Sequence, residues 1–139
     1  MKVENIKFRG KSKRTGEWLY GDLEYNRKKD IARIHSYDDE GEYIGQQEVD
    51  KKTIGQLVAK IRKSNGDICE VYSQDIVKLT TYDGEIQYVI VDNRGFVESK
   101  FLEYHTLIYF VDDFDVEWEV VGNIYDNKEL LTQEYERTD

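Results

Sequence analysis

The sequence predicts a mainly β protein: an N-terminal β meander followed by a second small β region that ends in a short helix. Three observations carry that reading. Apolar and polar residues alternate with period two along most of the chain. Side chains that suit a half-buried pleated surface are plentiful, with eleven Tyr, five Phe and two Trp. Turn signals recur at short intervals, among them Arg14-Thr15-Gly16, Asp38-Asp39-Glu40-Gly41, Asn65-Gly66, Asp83-Gly84 and Asn93-Arg94-Gly95.

Between these turns the pattern places strands at 5–10, 17–25, 31–37, 43–49 and 54–61. A second series falls at 75–80, 86–92, 96–103, 106–111 and 116–125. Asn65-Gly66 and Asp83-Gly84 supply the positive φ angles of tight hairpin turns. The segment 102–111 also nearly fits a helical stripe, through Phe101, Leu102, His105, Leu107 and Ile108. Residues 127–135 form the best helical candidate, with Asp126 or Asn127 as its cap. The polar stretch 62–67 is the natural internal boundary, giving regions 1–63 and 64–139. Proline is absent, so sheet edges must be closed, charged or covered by a partner.

A chain of 139 residues can bury about two thirds of its unfolded surface and needs no covalent staples. The single Cys69 cannot form an internal disulfide, which fits a reducing interior. Met1-Lys2-Val3-Glu4-Asn5 is followed by no apolar stretch, so no signal peptide is expected. Nor does any apolar run approach the eighteen residues that a membrane helix needs. A cytoplasmic protein, in the cytoplasm of a host cell, is the expectation.

Charge is placed unevenly. Residues 1–35 carry a balance of +5 and residues 36–139 a balance of −14, within a net −9. An acidic chain makes a poor general nucleic-acid coat, because phosphate binding depends on cationic neutralisation. The basic front end leaves room for a local contact, or for one copy docking on another through complementary fields.

Two charged faces follow from strand periodicity. Lys7, Arg9, Lys11 and Lys13 project to one side of an extended strand while Ile6 and Phe8 point to the other. Arg14 adds charge at the turn, and Trp18 and Tyr20 lie near enough to stack. Such a row either tracks phosphates or an acidic partner, or is a solvated edge that resists edge-to-edge pairing. Asp113, Asp115, Glu117 and Glu119 alternate with Phe114, Val116, Trp118 and Val120, an amphipathic strand with its acids outward. Successive acids on one strand face stand about 7 Å apart. A divalent ion needs oxygens within about 2.6 Å, so this row alone makes no metal site.

Catalytic constellations are missing. Gly10-Lys11-Ser12 resembles the tail of a phosphate loop, but the motif's first glycine would fall at Asn5, with no strand before and no helix after. Cys69 is flanked by Asp67 and Glu70, which would raise a thiol pKa, and reads as a packing residue. His35 and His105 have no neighbouring Cys or His at ligand spacing. With twenty-nine acids, no acid–base pair stands out. Neither an enzyme, a metal nor a cofactor is expected.

Two blocks carry a family resemblance. The first is Ile6-Lys7-Phe8-Arg9-Gly10-Lys11 with Gly16-Glu17-Trp18-Leu19-Tyr20-Gly21-Asp22-Leu23; the second is Val120-Val121-Gly122-Asn123-Ile124-Tyr125-Asp126-Asn127 running on to Leu131. Between them Thr53-Ile54-Gly55-Gln56, Asn65-Gly66-Asp67-Ile68 and Asp75-Ile76-Val77-Lys78 stand in matching order. Together they resemble the YopX family, small proteins of temperate phages and prophages of Gram-positive bacteria. Two departures occur: Ser73-Gln74 stands where relatives have Glu-Gly, and Leu57-Val58-Ala59 where they have Tyr-Thr-Gly. The resemblance implies an SH3-like barrel beginning near Asp75, and carries no activity with it.

The expected function is therefore that of a phage or prophage accessory protein, a non-enzymatic module for protein interaction or self-assembly. Its partners would be itself, as a homo-oligomer, or a host or phage protein, and not a membrane. Nucleic-acid binding through the basic strand is the alternative.

Overall fold

In the computed structural model, residues 6–98, 105–107 and 116–131 are described. The chain divides into two compact units, Met1–Leu57 and Val58–Asp139.

The first unit is the expected meander. β1 (Phe8–Lys11), β2 (Trp18–Asn26), β3 (Ile31–Tyr37) and β4 (Tyr43–Val49) pair antiparallel in the spatial order β4-β3-β2-β1. The start of β5 (Gly55–Arg62) lies on the free side of β1, with Arg9 opposite Gly55. The end of β1 also returns to the end of β4. Ser12 bridges Val49, the Lys13 N–H donates to the Glu48 carbonyl at 3.0 Å, and the Asp50 N–H donates to the Lys11 carbonyl at 2.9 Å.

Alternation decides what faces inward. Ala32, Ile34 and Val49 are buried, with Phe8, Leu19, Leu23 and Ile54 packed against them. Glycine is required where backbones approach most closely. A Cβ on Gly10 would lie 3.1 Å from that of Val49, and one on Gly21 (φ +153) would overlap the His35 carbonyl oxygen. Gly10 thus serves packing under β4 and not a phosphate cradle. A 3-10 turn at Lys51–Thr53 follows β4. Asp50 caps it by accepting from the Lys52 N–H, and buried Thr53 accepts from the Lys11 N–H at 2.9 Å.

The second unit holds the rest of β5 with β6 (Ile68–Tyr72), β7 (Asp75–Thr81), β8 (Ile86–Ile90), β9 (Phe96–Val97), β10 (His105–Thr106) and β11 (Val116–Asn123). β5 pairs with β6, β9 with β10, and β11-β7-β8 form a three-stranded antiparallel sheet. Among the described residues these sheets are open, and they do not draw the barrel that the resemblance implied. Strand β6 has no counterpart in the sequence reading. The polar stretch 62–67 ahead of it is a hairpin turn, in which the Lys63 N–H donates to the Asp67 carbonyl at 2.7 Å. The expected strands at 96–103 and 106–111 are described only at β9 and β10.

This unit has the larger core. Ile61, Val71, Val77, Leu79, Val89, Val91, Val97 and Leu107 are buried, with Val58, Cys69, Val116 and Trp118 packed against them. Each such side chain contributes about 1.5–3 kcal/mol on burial. A bulge between Val120 and Gly122 interrupts β11, whose pairing with β7 resumes to Asn123. Beyond it the Asn123 side-chain oxygen accepts from the N–H groups of Tyr125 (2.9 Å) and Asp126 (3.0 Å), a turn closed by the Asn127 N–H on the Asn123 carbonyl at 2.9 Å. The expected helix is described over 129–131, later than its expected start at Asn127, with the Leu130 N–H on the Asn127 carbonyl.

Candidate functional site: a cation–aromatic sheet face

Because Phe8 and Gly10 turn inward, Arg9 and Lys11 stand on the outer face of β1. The β1–β2 register sets Arg9 opposite Tyr20 and Lys11 opposite Trp18, so cations and rings share that face. The Arg9 guanidinium lies 4.7 Å from the Trp18 ring centre, the Lys11 amine 5.4 Å from the same ring, and the Lys7 amine 5.9 Å from Tyr20. All three fall within the roughly 6 Å over which a ring quadrupole attracts a cation.

The cations differ in what they offer a partner. Arg9 is only 5% exposed, whereas the sequence places it in an open row with the lysines. Its planar, weakly hydrated guanidinium is the cation best suited to being covered over an indole. Arg9 therefore acts first in holding β1 to β2. Lys7 and Lys11 are half-buried, and Lys13 and Arg14 are exposed in the turn that leads to β2. Lys13 is engaged by Glu48 at 2.8 Å. The hydrogen bond to that carboxylate, with its charge, holds the Lys13 amine above the ordinary lysine value.

The turn itself is built on buried Ser12. Its hydroxyl donates to Gln47 at 2.8 Å and accepts from the N–H groups of Arg14 and Thr15, each at 3.2 Å. A surface hollow lies here, lined by Ser12, Lys13, Arg14, Gln46, Gln47 and Glu48.

The sequence reading did not single out the continuation of the first unit's surface across β3 and β4. His35, noted there only as lacking a Cys or His at ligand spacing, joins Glu24 (2.7 Å) to the Tyr43 hydroxyl (3.1 Å). Tyr43 meets Tyr37 edge-on, with ring centres 5.5 Å apart. The Tyr37 hydroxyl is pushed up by partial burial and by Asp22 beside it. Tyr37, Tyr43 and Ile44 are all exposed, Ile44 to 65%. The signal available was the run Tyr43-Ile44 at the end of a turn.

In the second unit, described β11 keeps the expected alternation. Glu117 and Glu119 are exposed while Val116, Trp118 and Val120 pack on the core. Glu119 stands opposite Lys78 and Glu117 opposite Thr80, and all four line one hollow with Lys63. Asp113 and Asp115 lie outside the described residues. Cys69 packs against the core, and burial pushes its thiol up. Among the described residues no group of three His, Cys, Asp or Glu side chains could hold a metal ion. Nor, among them, is any helix long and apolar enough to cross a membrane.

A small, mainly β protein with a decorated sheet face is the class that these features define. The family pattern described as YopX protein matches residues 7–132, and the chain belongs to the YopX family. That membership points to a phage-type protein. Neither a curated protein nor a solved structure matches the chain.

Proposed function

We propose that the chain is a phage accessory protein acting as a non-enzymatic interaction module, and that the outer face of β1 and β2 is its contact surface. The observation that carries this reading is the interleaving of Lys7 and Lys11 with Trp18 and Tyr20 on one sheet face. Aromatic rings held in place by neighbouring cations offer rigid apolar area at low entropic cost, and the cations favour an acidic partner. The flanking turn adds Arg14, and Tyr37, Tyr43 and Ile44 extend the first unit's exposed aromatic surface.

The test is capture from bacterial host lysate on the tagged full chain, with and without nuclease, beside the Lys7→Glu/Lys11→Glu double variant. A protein or assembly that survives nuclease and is lost with the variant supports the reading. Capture that vanishes with nuclease moves the contact to nucleic acid. Capture indifferent to both charge changes removes this face from the function.

A further inference from the structure

We infer that the partner of the cation–aromatic face is a second copy of the same chain, docking through the outer face of β11; this rests on the β1–β2 face being the contact surface. The two sheet faces are complementary in charge. One copy presents Lys7 beside Tyr20 and Lys11 beside Trp18, with Arg14 exposed in the adjoining turn. A second copy presents exposed Glu117 and Glu119 on β11. Same-face residues repeat every 7 Å or so along any strand, so an acidic row and a basic row can register over several residues. The sequence charge follows the same division, +5 over residues 1–35 against −14 over the remainder.

A general polyanion partner is disfavoured by the net −9, which repels it beyond the immediate contact. Lys78, opposite Glu119, offsets part of the acidic face, so the contact is weak and salt-sensitive. Joining two different faces makes the contact head-to-tail. It adds copies with concentration unless a ring closes.

The experiment is light scattering and sedimentation of the full chain across concentration, at salt of about 0.1 M and about 1 M. That step shortens the screening length from roughly 10 Å to roughly 3 Å. Three proteins are compared: the natural chain, Lys7→Glu/Lys11→Glu, and Glu117→Lys/Glu119→Lys. Arg14→Glu, in an exposed turn, serves as a further basic-face variant should the lysine pair disturb folding. Circular dichroism establishes that each is folded.

The expected result is association of the natural chain that recedes at high salt. Each charge reversal alone weakens it by at least about tenfold, since like charges then meet. Mixing the two double variants restores it, because each then carries the faces that the other needs. A natural chain that stays monomeric throughout overturns the inference. So does association that ignores both reversals, or a mixture that fails to recover. If the monomeric chain still captures a lysate protein through Lys7 and Lys11, the interaction-module reading stands and only self-docking falls.

Discussion

The two units solve the same problem with different means. The first buries Ala32, Ile34 and Val49 under four partly covered apolar neighbours, and keeps its close strand contacts only because Gly10 and Gly21 lack side chains. The second joins eight buried apolar side chains in one cluster among the described residues, and closes the end of β11 with hydrogen bonds around Asn123. Backbone fit limits the first unit, and side-chain burial limits the second. A unit with a thin core has most of its side chains on the surface, and the Trp18 and Tyr20 face lies on that one.

Substitutions can break this contrast. Gly21→Ala forces a Cβ onto the His35 carbonyl at an angle that L side chains rarely adopt, and should cost about 4 kcal/mol or more. Residue-resolved hydrogen exchange should show protection lost across 8–49 and largely kept over β7 and β8. Uniform loss would mean that the units do not unfold separately. Leu79→Ala, in the fully buried centre of the second core, should cost about 3–4 kcal/mol in urea unfolding, with the opposite exchange pattern. A loss below about 1 kcal/mol would show that burial is not what holds this unit.

Smaller changes sharpen it. Asn123→Ala removes the acceptor of two backbone N–H groups at a buried turn, worth about 1–3 kcal/mol in thermal unfolding. Asn123→Asp should recover part of that loss, since it keeps the accepting oxygen. Gln74 sits at φ +73 in the turn between β6 and β7, a left-handed angle that favours glycine. Gln74→Gly should therefore stabilise by about 0.5–1 kcal/mol, the left-handed penalty less the entropic cost of glycine. Destabilisation would mean that its side chain holds the turn.

The smallest effect is electrostatic. Asp30 is held below the usual carboxylate range, first by its hydrogen bond from Lys51 and then by that from Tyr25. A carboxyl lowered in this way stabilises the fold above its ordinary value, and gives that up as pH falls through the lowered one. An NMR titration should find Asp30 still ionised where free aspartate protonates, with Lys51→Ala bringing it back towards normal. An unchanged midpoint in Lys51→Ala would discard the pairing.

Much of the fold was legible because its determinants are local. Alternation marked β2, β3, β4, β7 and β8 to within a residue or two at each end. Asn65-Gly66 and Asp83-Gly84 gave their turns, with φ of +93 and +88 at the two glycines. Strand β6 was missed because Ile68-Cys69-Glu70-Val71-Tyr72 is short and follows a polar run. Only pairing with β5 makes it a strand.

At the candidate site, periodicity put Lys7, Arg9 and Lys11 with Trp18 and Tyr20, but could not tell a covered cation from an open one. By itself the sequence determined the β class, the family, the turns and which residues share each strand face, because these depend on neighbours along the chain. Only the tertiary structure decided that Arg9 is buried over Trp18, that the end of β1 returns to β4, and that Gln74 must adopt a left-handed angle. Each of these depends on which distant strand lies alongside and in what register, and that is fixed by the balance of all pairings at once.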